Sequence, residues 1–151
     1  MRAFTMIELL VVLGIIAMII AMGTPAFLKF NAGLQLKTTA RQVAELLQVA
    51  RSQAITLRTT CAVVFDLERR RIAVVDAGGQ ELHAPLLLPA AVKLAEPGQP
   101  DGSSVTFEGG RATFLPTGGL QGRTTTLWLS DARGGAQQIT VYASTGRVVL
   151  Q

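Results

Sequence analysis

Three successive patterns of apolar and polar positions divide the chain. From Leu9 to Met22 every residue is apolar or glycine, and with Met6, Ile7 and the segment on to Leu28 the run approaches a bilayer span, which needs roughly 20 residues. One position breaks it. Glu8 would lie in hydrocarbon, where an ionised carboxylate costs at least ~2.5 kcal/mol, so it calls for a partner. Gly23-Thr24-Pro25 then predicts a helix kink at Pro25. A helical pattern resumes beyond it and continues to about Thr60.

In this second stretch Leu36, Ala40, Val43, Leu47, Ala50, Ala54 and Leu57 follow one another at spacings of 4, 3, 4, 3, 4, 3. Lys37, Arg41, Glu45, Gln48, Arg51 and Arg58 lie off that stripe, so the segment reads as one amphipathic helix with the arginines facing solvent. The stripe also has the period of a coiled coil, but its alanines weaken such a seam. Packing against a sheet is the expected use, with close approach at Ala50 and Ala54.

Past Thr60 the period changes to two. Cys61 to Asp66 and Arg71 to Asp76 predict a hairpin around Leu67-Glu68-Arg69-Arg70. Gln80 to Leu88 and Ala91 to Glu96 follow, separated by Pro89. The loop Pro97 to Ser103, with two prolines and two glycines, interrupts the ladder. Further strands are expected at Ser104 to Phe107, Arg111 to Leu115, Thr124 to Ser130, Gln137 to Ala143 and Arg147 to Leu150, punctuated by glycine turns. The fold class is therefore α+β: a long N-terminal helix, its first half transmembrane, packed on an antiparallel, two-sheet β head.

Length supports this division. Of 151 residues, about 120 remain after the apolar segment, enough for one modest domain with a core. The formal charge of +4 is carried mainly by arginine, a mild excess that permits anionic partners without requiring them. Cys61 is the sole cysteine, so no internal disulfide forms, and it reads as a buried strand residue. His83 is the sole histidine, so no zinc site of the usual composition can be assembled, and no Gly-x-Ser-x-Gly elbow is present. Asp101 in its Gly/Pro loop is one carboxylate, too few for calcium. The chain reads as a non-enzyme without cofactor or metal.

Phe4-Thr5-Met6-Ile7-Glu8-Leu9-Leu10-Val11-Val12 resembles the class III signal of type IV pilins and type II secretion pseudopilins. The resemblance implies a leader of residues 1–3 cut by a prepilin peptidase between Ala3 and Phe4, and N-methylation of Phe4. It also implies that Glu8 pairs with a neighbouring subunit's N-terminal amine during assembly. Ala3 stands where the family has glycine. Residues 4–28 would then form the membrane and filament-core helix, kinked at Pro25, and residues 29–151 the head. The localisation implied is the bacterial inner membrane, single-pass with an outward head, and assembly in a pilus or pseudopilus with other pilin-like subunits.

Ala50-Arg51-Ser52-Gln53-Ala54, Phe114-Leu115-Pro116-Thr117-Gly118 and Thr145-Gly146-Arg147-Val148-Val149 resemble, in that order, motifs of the FimT/GspH group of minor pilins and pseudopilins. The implied function is a minor pilin or pseudopilin at or near the tip of a type II secretion pseudopilus or type IV pilus. The alternative is a DNA-binding minor pilin of natural transformation. Arg147, Arg133 and Arg123 are the candidate DNA contacts, with Arg111 and the run Arg69-Arg70-Arg71 as further basic positions near strand ends. The Gly-Arg-x-Arg of the DNA-binding branch is incomplete, since Val149 follows Val148.

Overall fold

The computed structural model describes residues 5–96, 98–99 and 107–151, leaving aside the side chains of residues 22–32 and 108. Ala3 and Phe4, the loop containing Asp101, and the strand expected over Ser104 to Phe107, apart from Phe107 itself, lie outside the described residues.

Helix α1 spans Met6–Leu57, without a break at Pro25. Thr5 caps it: its hydroxyl and carbonyl oxygens both accept from the Glu8 backbone N–H, satisfying one of the donors a helix start leaves unpaired. Arg58, at φ 52°, adopts the left-handed conformation that ends the helix. The helix thus stops short of the expected Thr60.

Along the second half, Leu36, Ala40, Val43, Leu47, Ala50 and Ala54 are buried as the spacing predicts, joined by Thr39 and Ala44. Leu57 corrects that expectation. It is half exposed, the last residue before the chain leaves the helix at Arg58. Arg51 is a second correction: it is partly buried, and its Nε–H donates to the Gly118 carbonyl at 3.0 Å. Arg41, by contrast, is solvent-facing and makes a 3.7 Å i,i+4 pair with Glu45.

Among the described residues eight strands follow: β1 Cys61–Asp66, β2 Arg71–Val75, β3 Leu86–Leu87, β4 Val92–Lys93, β5 Arg111–Phe114, β6 Thr125–Asp131, β7 Ala136–Val141 and β8 Val148–Leu150. They form two four-stranded antiparallel sheets, β3-β2-β1-β5 and β4-β6-β7-β8. The run from Gln80 to Leu88 gives a single bridge at Glu81 and the two-residue β3 rather than one continuous strand. Pro85, between that bridge and β3, lacks the N–H that a ladder needs.

Alternation sets the register. Cys61, Val63 and Phe65 of β1 point into the core, opposite Phe114, Ala112 and Ile72 respectively. In the second sheet Leu127 faces Ile139 and Thr125 faces Val141. Helix α1 contacts strands of both sheets and closes the core between them. Its alanines let the backbones approach, since Ala40, Ala50 and Ala54 are completely inaccessible to solvent.

Replacing Ala54 with Leu should overpack this contact and cost roughly 1–3 kcal/mol, whereas Leu57→Ala should change stability by no more than about 0.5 kcal/mol. Thermal unfolding of the two variants checks the rotation of the helix; equal melting temperatures would contradict it.

Candidate assembly helix and arginine groove

Two regions stand out chemically: the bare N-terminal half of α1 and a groove on the head. From Met6 to Ile20 the large apolar side chains are exposed on every side of the helix, as with Leu10 at 61% and Ile16 at 47%. A helix that is apolar all round does not match an aqueous surface. Glu8 is exposed in its first turn, where a carboxylate also complements the positive end of the helix dipole. Among the described residues no helix is long and apolar enough to cross a membrane.

On the head, three separated stretches converge at one junction. Arg51 of the helix donates to Gly118 O. Gly118 closes the turn after β5 by donating to the Leu115 carbonyl at 2.8 Å, and Leu120 N–H donates to Ala143 O at 2.9 Å. Gly146, at φ 62°, fits against the same Gly118 carbonyl: a Cβ there would collide with that oxygen and come within 3.1 Å of the Arg51 side chain. The Ala50–Ala54, Phe114–Gly118 and Thr145–Val149 segments are thus one packed unit around a buried carbonyl.

The candidate DNA contacts do not converge in this way. Arg123 precedes β6 and Arg147 precedes β8, at the same end of the second sheet, since Ala143 N–H donates to the Thr124 hydroxyl and Tyr142 N–H to Arg147 O. Arg133 sits in the β6–β7 turn at the other end, where Asp131 accepts from its backbone N–H. With β6 spanning Thr125–Asp131, that separation is about 20 Å at ~3.3 Å per residue.

The run Arg69-Arg70-Arg71, expected to reach outward, is largely engaged within the fold. Arg71 bridges Asp66 at 3.4 Å and Glu81 at 3.0 Å, and Arg69 lies 3.7 Å from Asp66. Arg70 Nη2 donates to the carbonyls of Pro89 and Val92, at 2.8 and 2.7 Å, tying the hairpin to the start of β4. The Arg69 backbone N–H is the main influence holding the Asp66 carboxyl below its ordinary range, helped by the Arg71 and Arg69 guanidiniums. Burial raises the Cys61 thiol, with the Asp76 charge acting in the same direction. Cys61 is a core residue.

A different pairing of arginines emerges instead. Arg111 and Arg123, with Phe107, Thr113, Gln121, Gly122 and Thr125, line a groove of ≈ 710 Å³ where the chain crosses from β5 to β6. Gln121 N–H donates to Thr113 O at 2.8 Å and holds this crossing against β5. The two arginines are twelve positions apart in sequence, and no local pattern joins them. His83, expected on a strand, lies exposed in a bend. Among the described residues no group of three His, Cys, Asp or Glu side chains is placed to hold a metal ion.

One long helix laid on two antiparallel sheets is the architecture of a pilin-like subunit. The family model "Type II transport protein GspH" matches residues 39–146, and the chain belongs to that family. Solved structures with a similar fold include the minor pseudopilin EpsH from the type 2 secretion system of Vibrio cholerae (TM-score 0.58, 18% identity, 78% of this chain and 96% of that one). Another is the type IV minor pilin FimU of Pseudomonas aeruginosa (TM-score 0.56, 23% identity, 77% of this chain and 87% of that one). Comparison with curated proteins finds no match.

Two measurements check the junction and the hairpin. Gly146→Ala, which combines left-handed backbone strain with a clash against Gly118 O, should destabilise the head by roughly 2–4 kcal/mol. Arg51→Met, which keeps the stem and removes the donor, should cost about 1–2 kcal/mol in the same unfolding experiment. For Asp66 the folded pKa is depressed below 3.8, so its stabilising contribution is present above the unfolded pKa and is lost as pH falls through the folded value. The melting temperature should therefore drop below about pH 4, less steeply in Asp66→Asn; identical acid profiles would remove Asp66 from the account.

Proposed function

We propose that this protein is a minor pilin-like subunit that inserts the first half of α1 into a membrane and then into a filament bundle, with the head outside. The observation that carries this reading is the apolar surface from Met6 to Ile20, exposed on all sides around a single carboxylate. Membership of the GspH family favours a type II secretion pseudopilus, and the likeness to both a pseudopilin and a type IV minor pilin makes a type IV pilus the near alternative. Residues 1–3 are the leader, Phe4 the methylated N-terminus, and Pro25 the point where the helix bends between bundle and head. The subunit occupies a place at or near the tip, where a minor component contacts other minor subunits.

Glu8 is the assembly residue. Its carboxylate is costly in hydrocarbon, and a neighbour's N-terminal amine offsets that cost only once subunits associate. Capture of DNA is the weaker reading, because Arg133 stands at the opposite end of the β6–β7 hairpin from Arg123 and Arg147.

In cells that make the whole assembly, Glu8→Ala should leave the melting of the head unchanged and reduce incorporation into filaments at least about tenfold, which is the scale of ~1.4 kcal/mol. Glu8→Gln should behave alike, showing that charge and not helix capping matters. Mass spectrometry of assembled wild-type protein should find methylated Phe4 at the N-terminus. Normal incorporation of both variants, or an intact Met1, would overturn this assignment.

A further inference from the structure

We propose that the Arg111–Arg123 groove is a docking site for an acidic side chain, Asp or Glu, carried on an extended segment of a neighbouring pilin-like subunit. The inference rests on the filament-subunit reading above and adds a specific contact to it.

The groove is lined by two arginines together with Gln121 and Thr113, and its Phe107 is a core side chain stacked on Phe65. Its ≈ 710 Å³ falls within the ~300–1,000 Å³ of ordinary ligand clefts. Arg111 and Arg123 are both exposed, and among the described residues neither makes an ion pair. They differ in this from Arg41, Arg69 and Arg71, each of which faces a carboxylate. A guanidinium presents two parallel N–H donors that match a carboxylate, so two of them flanking one cleft suit a single planar anion.

Charge distribution selects a peptide over a nucleic acid. Arg111 also borders a second hollow of ≈ 210 Å³, in which Arg71 is paired with Asp66 and Glu81. A phosphate backbone continuing past Arg111 would meet two carboxylates whose neighbouring cation, Arg71, is already paired with them, whereas one side-chain carboxylate ends where the positive groove ends. Duplex DNA needs a succession of phosphate contacts, and the remaining arginines do not extend the groove into such a track.

The test uses the full-length protein in membranes of cells that make its pilin-like partners, with a photoreactive p-benzoylphenylalanine in place of Gln121. Illumination should join the groove to a neighbouring pilin-like subunit, and mass spectrometry should place the cross-link beside an Asp or Glu. The yield should fall about tenfold in Arg111→Glu/Arg123→Glu, the scale of losing one ~1.4 kcal/mol charged contact. It should persist in Arg111→Lys/Arg123→Lys and return when the captured acidic residue is changed to Arg in the charge-reversed background. Unchanged melting of the head shows that the variants fold. A cross-link to DNA, to a segment lacking a carboxylate, or one indifferent to charge reversal would overturn the proposal, as would no cross-link at all. Incorporation of the wild-type protein into filaments, scored in parallel, separates the two readings. Its absence would refute the filament-subunit function and the groove assignment with it, while incorporation without a charge-sensitive cross-link refutes only the groove.

Discussion

Close contact between one helix and two sheets is the constraint on which the head depends. The second half of α1 must seal a core contributed by both sheets, and larger residues throughout its stripe would hold the layers apart. Alternating Leu36, Val43 and Leu47 with Ala40, Ala50 and Ala54 resolves this: the large side chains fill the core while the alanines bring backbones together. Because buried atoms pack at crystal-like density, this stripe also fixes the rotation of the helix. The off-stripe side chains are thereby placed, and Arg51 is the one whose placement most affects the fold.

Arg51 reaches the Gly118 carbonyl where the turn after β5 meets the turn before β8. That carbonyl would be poorly hydrated against Gly146, and a charged donor satisfies it at a distance a neutral side chain of the same reach could not match as well. The three stretches that resemble motifs of the FimT/GspH group thereby have a structural explanation. They are distant in sequence, yet each supplies one part of a junction that locks helix, first sheet and second sheet together. Glycine at position 146 follows from its positive φ and from the absence of room for a Cβ.

The chain meets two surroundings with a single helix. Its first half presents apolar side chains in all directions and its second half presents them along one stripe. At the β5–β6 crossing the head carries a basic groove, while the neighbouring arginines of the β1–β2 hairpin are spent on internal contacts. Acidic partners for Arg69 and Arg71, and backbone carbonyls for Arg70, turn what looks like a positive run into a brace between hairpin and β4.

The sequence by itself determined the helix, its buried stripe, the β1–β2 hairpin and the paired alternation of β6 and β7, since each is written in a local period of 3.6 or 2. It also marked Glu8, because one charge in an apolar run stands out without any fold. Tertiary structure alone decided which arginines were free. Arg51 lies off the hydrophobic stripe and looks solvent-facing, but Gly118, sixty-seven residues away, turns it inward. Arg111 and Arg123 look like scattered surface charge until the crossing between the sheets places them on one groove. Leu57 fits the periodicity and is nevertheless exposed, because the end of a helix is set by where the next strand must begin. Periodicity reports which face of an element is apolar; the partner that meets a polar side chain is chosen by contacts between distant segments, and no local pattern encodes it.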